Sequence, residues 1–268
     1  MKTSSGNQPI RLHWWQGVPN FGDAINPLIV GHVAGAEVEF AGPQKANLFA
    51  IGSMLQVVKR TRKDVPADQP PVNVWGTGIL NPVFGHDFMD KVDLHLVRGP
   101  ITAALLKRKL RRFGDPGLLI DSALPFSGDR NDRVGIVPHH GQMDDPEMLA
   151  FAESDPAFML IDPRYAPEVV CHQIASCARI LSSSLHGLIM ADAYGVPNRW
   201  IAPGKQGWMK YHDYAASIGR TDMSFPLTTD EVPAAKFKNI EYEDGIDAAR
   251  EALLDTFPDH LKSSAARV

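Results

Sequence analysis

Apolar residues along the chain fall into short runs of four or five, separated by stretches in which apolar and polar positions recur at helical spacing. Ile10 to Trp14, Asn47 to Ile51, Val72 to Trp75 and Leu94 to Val97 read as strands. A helix follows Asp23, and another starts at Pro100 and runs to about Arg111. Proline suits the first helical position, because its missing N–H would have no partner there anyway. The pattern then restarts. Arg133 to Pro138, Phe158 to Ile161, Ile180-Leu181 and Asn198 to Ile201 read as strands. Helices are predicted after Asp145-Pro146, over Glu168 to Ala178, from Leu185, across 208–218 and from about Glu243 to Phe257. The 60–71 stretch, with its charges and three prolines, reads as an exposed loop.

Strands that alternate with helices imply parallel sheets with crossover helices. The restart near Gly128-Asp129-Arg130-Asn131-Asp132 is the predicted domain boundary. The expected fold is α/β, with two Rossmann-like lobes, 1–127 and 128–268, facing a cleft. The last helix is free to pack back on the first lobe. Ligands of such sheets bind at the carboxyl ends of the strands.

Composition changes this picture little. The 268 residues are 44% hydrophobic and 22% charged, which is ordinary for a globular protein. A formal net charge of −4 argues against a general nucleic-acid binder, though not against a local basic pocket. Cys171 and Cys177 are the only cysteines. Six residues apart on a predicted helix, they point to different sides, so no disulfide is expected and a reducing compartment fits. Met1 to Pro9 is polar and lacks the apolar core of a signal peptide. No apolar run approaches the ~20 residues that span a bilayer. The expectation is a cytoplasmic protein, with room for a peripheral contact at the inner face of the membrane.

The richest stretch is Ser182-Ser183-Ser184-Leu185-His186-Gly187, which ends a predicted strand and opens an apolar helix closed by Gly195 and Pro197. Free N–H groups and the positive end of that helix make an anion site, with His186 in the first turn to hand over a proton. Serine there is also an ordinary helix cap. Further candidates follow other predicted strands. Asn20-Phe21-Gly22-Asp23 offers close backbone approach and a carboxylate that is either a base or a cap. Trp75-Gly76-Thr77-Gly78 begins like a dinucleotide fingerprint, but position 81 is Asn and no acidic residue follows at a suitable strand end, so a nicotinamide or flavin site is rejected. Its tight turn could still line a cleft. Val97-Arg98-Gly99-Pro100 places an arginine where it could grip a carboxylate or phosphate. Phe113-Gly114-Asp115-Pro116-Gly117 is turn chemistry, which favours a structural duty for Asp115 and leaves cleft lining open. His139-His140 ends a strand of the second half. With His186 it lacks metal-ligand spacing, so no metal is expected. Lys210, in Lys210-Tyr211-His212-Asp213-Tyr214, could add positive charge. No G-x-S-x-G elbow supports Ser-His-Asp hydrolysis.

Together these motifs resemble the polysaccharide pyruvyl transferase family, in particular its exopolysaccharide ketal-forming members. The resemblance rests on NFGDAIN (20–26), WGTGIL (75–80), VRGP (97–100), GDPGLL (114–119), IVPHH (136–140), SSSLHGLIMADAYGVP (182–197) and KYHDY (210–214), in that order. Many members carry Arg before Leu-His, where this chain has Ser184. That shifts weight to Arg98 and Lys210 as the cations.

The resemblance implies a fold like the two-lobed GT-B glycosyltransferases. It also implies phosphoenolpyruvate as donor and a lipid-linked oligosaccharide as acceptor, joined as a ketal at the 4- and 6-positions of a hexose. On that expectation Arg98, Lys210 and the hydroxyls of Ser182, Ser183 and Ser184 hold the donor anion. His186 is the general acid or base, and Asp23 is the base toward the acceptor. Asn20, Gly76, Thr77 and His139 line the cleft, and no cofactor or metal is required. The alternatives are a nucleotide-sugar glycosyltransferase of the same fold, for which no ribose-binding acid is evident, and a non-catalytic sugar-binding protein.

Overall fold

The computed structural model describes residues 9–63, 65–66, 68–234 and 237–266, so the polar start of the chain through Gln8 lies outside them. β1 (Ile10–His13) leads through a polar turn into α1 (Phe21–Ala24) and α2 (Asn26–Ala34). β2 (Val38–Phe40) pairs with one edge of β1, and β3 (Leu48–Phe49) with the other. α3 (Leu55–Arg62), β4 (Val72–Trp75), β5 (Val92–Leu96) and α4 (Pro100–Leu105) complete a first parallel sheet in the order β2-β1-β3-β4-β5. α5 (Ile120–Ala123) follows. The second sheet interleaves β6 (Val134–Val137), α6 (Pro146–Glu153), β7 (Phe158–Leu160), α7 (Pro167–Ser176), β8 (Arg179–Ser182), α8 (Leu185–Ala193) and β9 (Asn198–Trp200). Its order is β7-β6-β8-β9, again parallel. α9 (Met209–Ser217) and α10 (Glu243–Thr256) close the chain.

The sequence dictates much of this locally. Pro27, Pro100, Pro146 and Pro167 each sit in a first helical turn. Asp145 caps α6 by accepting from the Glu147 N–H at 3.0 Å. β4 is buried at all four positions because both faces of the sheet are covered. α8 is buried along its whole length, and apart from His186 and Asp192 it is built of apolar residues and glycine. One continuous core joins Leu12, Phe21 and Trp75 to Val137, Ile189 and Tyr214. α10 packs into it from the end of the chain: the Trp75 indole donates to the Leu253 carbonyl at 3.0 Å and meets Phe257 edge-on at 4.9 Å. Strand order reverses between β1 and β3 in the first sheet, and between β6 and β8 in the second. Such reversals open a crevice at the strands' carboxyl ends.

Three expectations fail for identifiable reasons. β2 was not foreseen, because a three-residue, mostly exposed edge strand leaves no apolar signature. α3 occupies the start of the stretch predicted as loop. Lys59 and Arg60 hide its apolar face, and buried Arg62 donates to the carbonyls of Pro43 and Ala46 at 2.8 and 2.9 Å. Asp64 and Ala67 of that stretch lie outside the described residues. α4 stops at Leu105 rather than about Arg111: the basic run that follows has little apolar surface to bury, and Lys107 turns left-handed at φ 55°. Cys177 falls just beyond α7, and both cysteines are buried free thiols.

Candidate active site

A pocket of about 150 Å3 gathers the carboxyl ends of strands from both sheets. The first sheet supplies Asn20 and Asp23 beyond β1, Gly52 and Ser53 beyond β3, Leu80 beyond β4 and Arg98 beyond β5. The second supplies His139 and His140 beyond β6, Ser184, Leu185 and His186 beyond β8, and Gln206 and Lys210 beyond β9.

Close backbone approach builds the first wall. Asn20, rather than Asp23, caps α1 by accepting from the Gly22 N–H at 3.3 Å, and its amide donates to Asp23 Oδ2 at 2.7 Å. A Cβ at Gly22 would lie 2.1 Å from His186 Nδ1, so only glycine lets α1 rest on the imidazole. Gly78 plays the same part for Arg98, whose Cζ would lie 2.2 Å from an added Cβ. Arg98 is fully buried and fixed. Its Nε donates to Asp213 Oδ2, Nη1 to Ser53 Oγ and Nη2 to the Ile79 carbonyl, each at 3.1 Å. Asp213 also accepts from the backbone N–H and the hydroxyl of Thr102, at 2.9 and 2.7 Å. Three of the five guanidinium N–H donors are thus engaged, and two remain.

The serine run divides. Ser182 Oγ lies 2.9 Å from the Val137 carbonyl and accepts from the Ser184 N–H at 3.0 Å. Ser183 Oγ donates to Gln142 Oε1 at 2.7 Å and accepts from the His139 N–H at 2.8 Å. Both hold the turn together and neither lines the pocket. Ser184 does line it. It is the N-cap of α8, and its hydroxyl makes no capping bond. The first-turn N–H groups of α8 have no partner within the helix. Gly76, at φ 81° against Pro116, and Thr77 lie behind the wall. The Thr77 hydroxyl donates to the Gly52 carbonyl at 2.6 Å and accepts from the Met54 N–H at 3.0 Å, shaping the loop that carries Gly52 and Ser53.

Burial governs the charges. His186 Nε2 is buried with no hydrogen-bond partner. Burial first, then Lys210 and Arg98, push its pKa down to about 3. An anion beside the ring would raise that value. In the free site the neighbours are cations, and the imidazole is neutral. His139 is also pushed down to about 3, by burial, Lys210 and His140. Burial lifts Asp23 to about 6, against the Asn20 hydrogen bond and Lys210. Lys210 falls to about 8 through burial and Arg98, with Asp23 opposing. Near pH 7 the enclosure therefore holds two cations, one carboxylate and a helix N-terminus, a surplus suited to a small multiply charged anion. Among the described residues no group of three His, Cys, Asp or Glu could hold a metal ion.

Sequence reasoning missed Ser53 and the part played by Asp213. Asp213 lies three residues beyond Lys210, a spacing that shares one helix face, and that was the available signal. It also missed Tyr211, whose hydroxyl donates to the Ser183 carbonyl at 2.6 Å and ties α9 to the serine turn.

Comparison with known proteins bears on the same segments. The chain is 30% identical over 146 residues to an uncharacterized protein, L143, of Acanthamoeba polyphaga mimivirus, covering 47% of this chain and 48% of that one. It is 31% identical over 141 residues to the succinoglycan biosynthesis protein ExoV of Rhizobium meliloti, covering 48% and 42%. The chain thus spans about half the length of the curated relatives it matches. A family model described as polysaccharide pyruvyl transferase matches residues 45–205, a stretch that carries the pocket wall from Gly52 through Arg98 to His186. By that match this chain belongs to the polysaccharide pyruvyl transferase family.

Proposed function

We propose that the protein transfers pyruvate from phosphoenolpyruvate to a sugar of a lipid-linked exopolysaccharide repeat unit, forming a ketal at the 4- and 6-positions. In this reading Arg98 and Lys210 hold the donor's carboxylate and phosphate, with Ser184 and the α8 N-terminus on the phosphate oxygens. The fold assignment that goes with it is GT-B-like, with lobes 1–127 and 128–268. It draws support from the two parallel sheets, whose strands fall on either side of that boundary.

The chemistry balances without a further reactant. An acid protonates the donor's methylene carbon, and C2 becomes oxocarbenium-like. One acceptor hydroxyl adds to C2 and gives up its proton, the C2–O bond to phosphate breaks, and the second hydroxyl closes the ring. Of the two hydroxyl protons, one replaces the proton delivered to the new methyl group and the other leaves with phosphate. His186 is the acid and Asp23 the base that receives the hydroxyl proton. Donor binding shifts the acid: burial does most to hold His186 down, but negative charge beside Lys210 and Arg98 offsets the share the two cations add and favours the protonated ring, so its pKa rises.

The observation that carries the reading is His186 Nε2, buried, unpartnered and set beside two cations in a pocket whose wall from Gly52 to His186 lies within the family match. The test is release of inorganic phosphate from phosphoenolpyruvate on addition of lipid-linked oligosaccharide. Acceptor-dependent release is expected, with none from nucleotide sugars. Turnover of a nucleotide sugar instead, or binding of both compounds without turnover, overturns it.

A further inference from the structure

The segments that wall the pocket continue into a second surface. α3 starts two residues after Ser53, and the loop after β4 passes from pocket-lining Leu80 directly to Pro82 and Phe84. Gln56, Lys59, Arg60, Lys63, Pro82 and Phe84 line a groove of about 300 Å3 between them. The loop is pinned to the helix. Gln56 accepts from the Leu80 N–H at 3.3 Å and donates to the Asn81 carbonyl at 2.5 Å, and Lys59 Nζ donates to the Phe84 carbonyl. Beyond it, the His86 ring bonds to the Leu105 carbonyl at 2.9 Å, at the end of α4.

This held loop presents apolar side chains to solvent: Phe84 is 80% exposed and Leu80 39%. Cations share the groove with Phe84: Lys59, Arg60 and Lys63 line it. The stretch that carries them, residues 55–63, holds four lysines and arginines and no Asp or Glu, in a chain of net charge −4. Of these only Arg62 is buried, where it braces the 43–46 turn. Asp87 and Asp90 come next along the chain but do not line the groove.

We propose that this groove docks on an anionic phospholipid bilayer, with Phe84 entering the boundary between headgroups and acyl chains and Lys59, Arg60 and Lys63 on lipid phosphates. Charge complementarity selects an anionic surface, and an exposed phenyl ring among the cations selects a bilayer over a dissolved polyanion. Among the described residues no helix is long and apolar enough to cross a membrane, so docking would be peripheral. The inference rests on the proposed function for its purpose: Leu80 belongs to both surfaces, so a bilayer on the groove meets the rim of the pocket that a lipid-linked acceptor must reach.

The test is sedimentation of the whole protein with phosphatidylglycerol–phosphatidylcholine vesicles, against pure phosphatidylcholine vesicles and a soluble acidic polysaccharide. Binding is expected to the anionic vesicles only, and to fall as salt rises. Each lysine or arginine near such a surface is worth about fivefold in partitioning, so Arg60→Glu with Lys63→Glu should lower binding at least about thirtyfold. Phe84→Ser should lower it about tenfold. Neither variant should change phosphate release measured with a water-soluble acceptor, and that arm also reports a misfolded variant. No vesicle binding, equal binding to neutral vesicles, or polysaccharide binding that ignores Phe84→Ser each overturns the proposal. Vesicle binding without any turnover of phosphoenolpyruvate sinks the proposed function and leaves the docking surface standing.

Discussion

Two buried arginine–aspartate pairs in this protein share the same chemistry and differ in their surroundings. Arg220 donates to Asn198 Oδ1 at 2.7 Å, to the Asn198 carbonyl at 3.0 Å and to Asp222 at 2.7 Å. Its partner Asp192 accepts from the hydroxyls of Tyr214 and Tyr242, at 2.7 and 2.8 Å, and from Asn198 Nδ2 at 2.7 Å. Burial and that carboxylate push both tyrosines up. The network ties β9, α8, α9 and the approach to α10 into one unit. The Arg98–Asp213 pair is bonded as firmly, yet it faces the pocket that holds the unpartnered His186 nitrogen, a depressed Lys210 and a raised Asp23. The Arg220 network also borders a cavity, of about 160 Å3, lined by Asn198, Asp222 and Tyr242, but none of its buried side-chain polar atoms is without a partner, so the fold alone satisfies it. The Arg98 site leaves charges that a ligand would balance, and burial moves its Asp23 and Lys210 toward neutral pH, to about 6 and about 8, whereas the Arg220 network moves its tyrosines away from it.

The largest separation between the two regions should come from His186. His186→Gln should lower turnover by about 10²–10⁴-fold with little change in melting temperature. Gly22→Ala should mimic it, because the new methyl group displaces the ring. Normal turnover in either variant, or a fall in melting temperature that accounts for the whole loss, would return His186 to a packing role.

Next come the arginines. Arg220→Ala and Arg98→Ala each strand a buried carboxylate and should cost about 3–5 kcal/mol in urea unfolding. Arg98→Lys keeps a charge but loses the fork. It should weaken phosphoenolpyruvate binding by calorimetry about ten- to hundredfold, whereas Arg220→Lys should leave that binding unchanged. Equal binding losses from the two lysine variants would erase the distinction between the sites.

Asp23 gives a smaller effect of opposite sign. Its folded pKa of about 6 lies above the ordinary 3.8, so the stability it contributes is present at low pH and is lost as pH rises through that interval. Asp23→Asn should therefore stabilise the free protein at neutral pH by about 1–3 kcal/mol while removing turnover. A variant less stable than the parent at pH 7 would show Asp23 to be structural. The smallest expected effect is none: chelation of divalent metals should leave turnover unchanged, since the scheme assigns the donor's charge to Arg98 and Lys210. Activity lost on chelation and restored by one metal would contradict that assignment.

The pieces of this site that depend on local chain chemistry were legible in the sequence. Asn20, Asp23, Arg98, His139, Ser184, His186 and Lys210 all follow predicted strands, and all line one pocket. The glycines beside them mark close approaches, although which side chain each approaches is not written locally. Side-chain direction within the serine turn was not legible, because Ser182 still belongs to β8 and Ser183 reaches inward to Gln142. Asp213 was hidden as a partner of Arg98 because 115 residues separate them. The protonation of His186 in the free site was not legible. It depends on burial by α1 and on two cations from distant segments, none of which adjoins it in the chain. α3 was masked by its own outward charges.

The most direct test of the account is the titration of His186 by its imidazole nitrogen chemical shifts, from about pH 5 to 8, with and without phosphoenolpyruvate. The ring should be neutral throughout that range in the free protein, and its titration should move up into it when the donor's charge meets Arg98 and Lys210. A free ring that titrates at its ordinary value, or one that phosphoenolpyruvate leaves unmoved, would contradict the account.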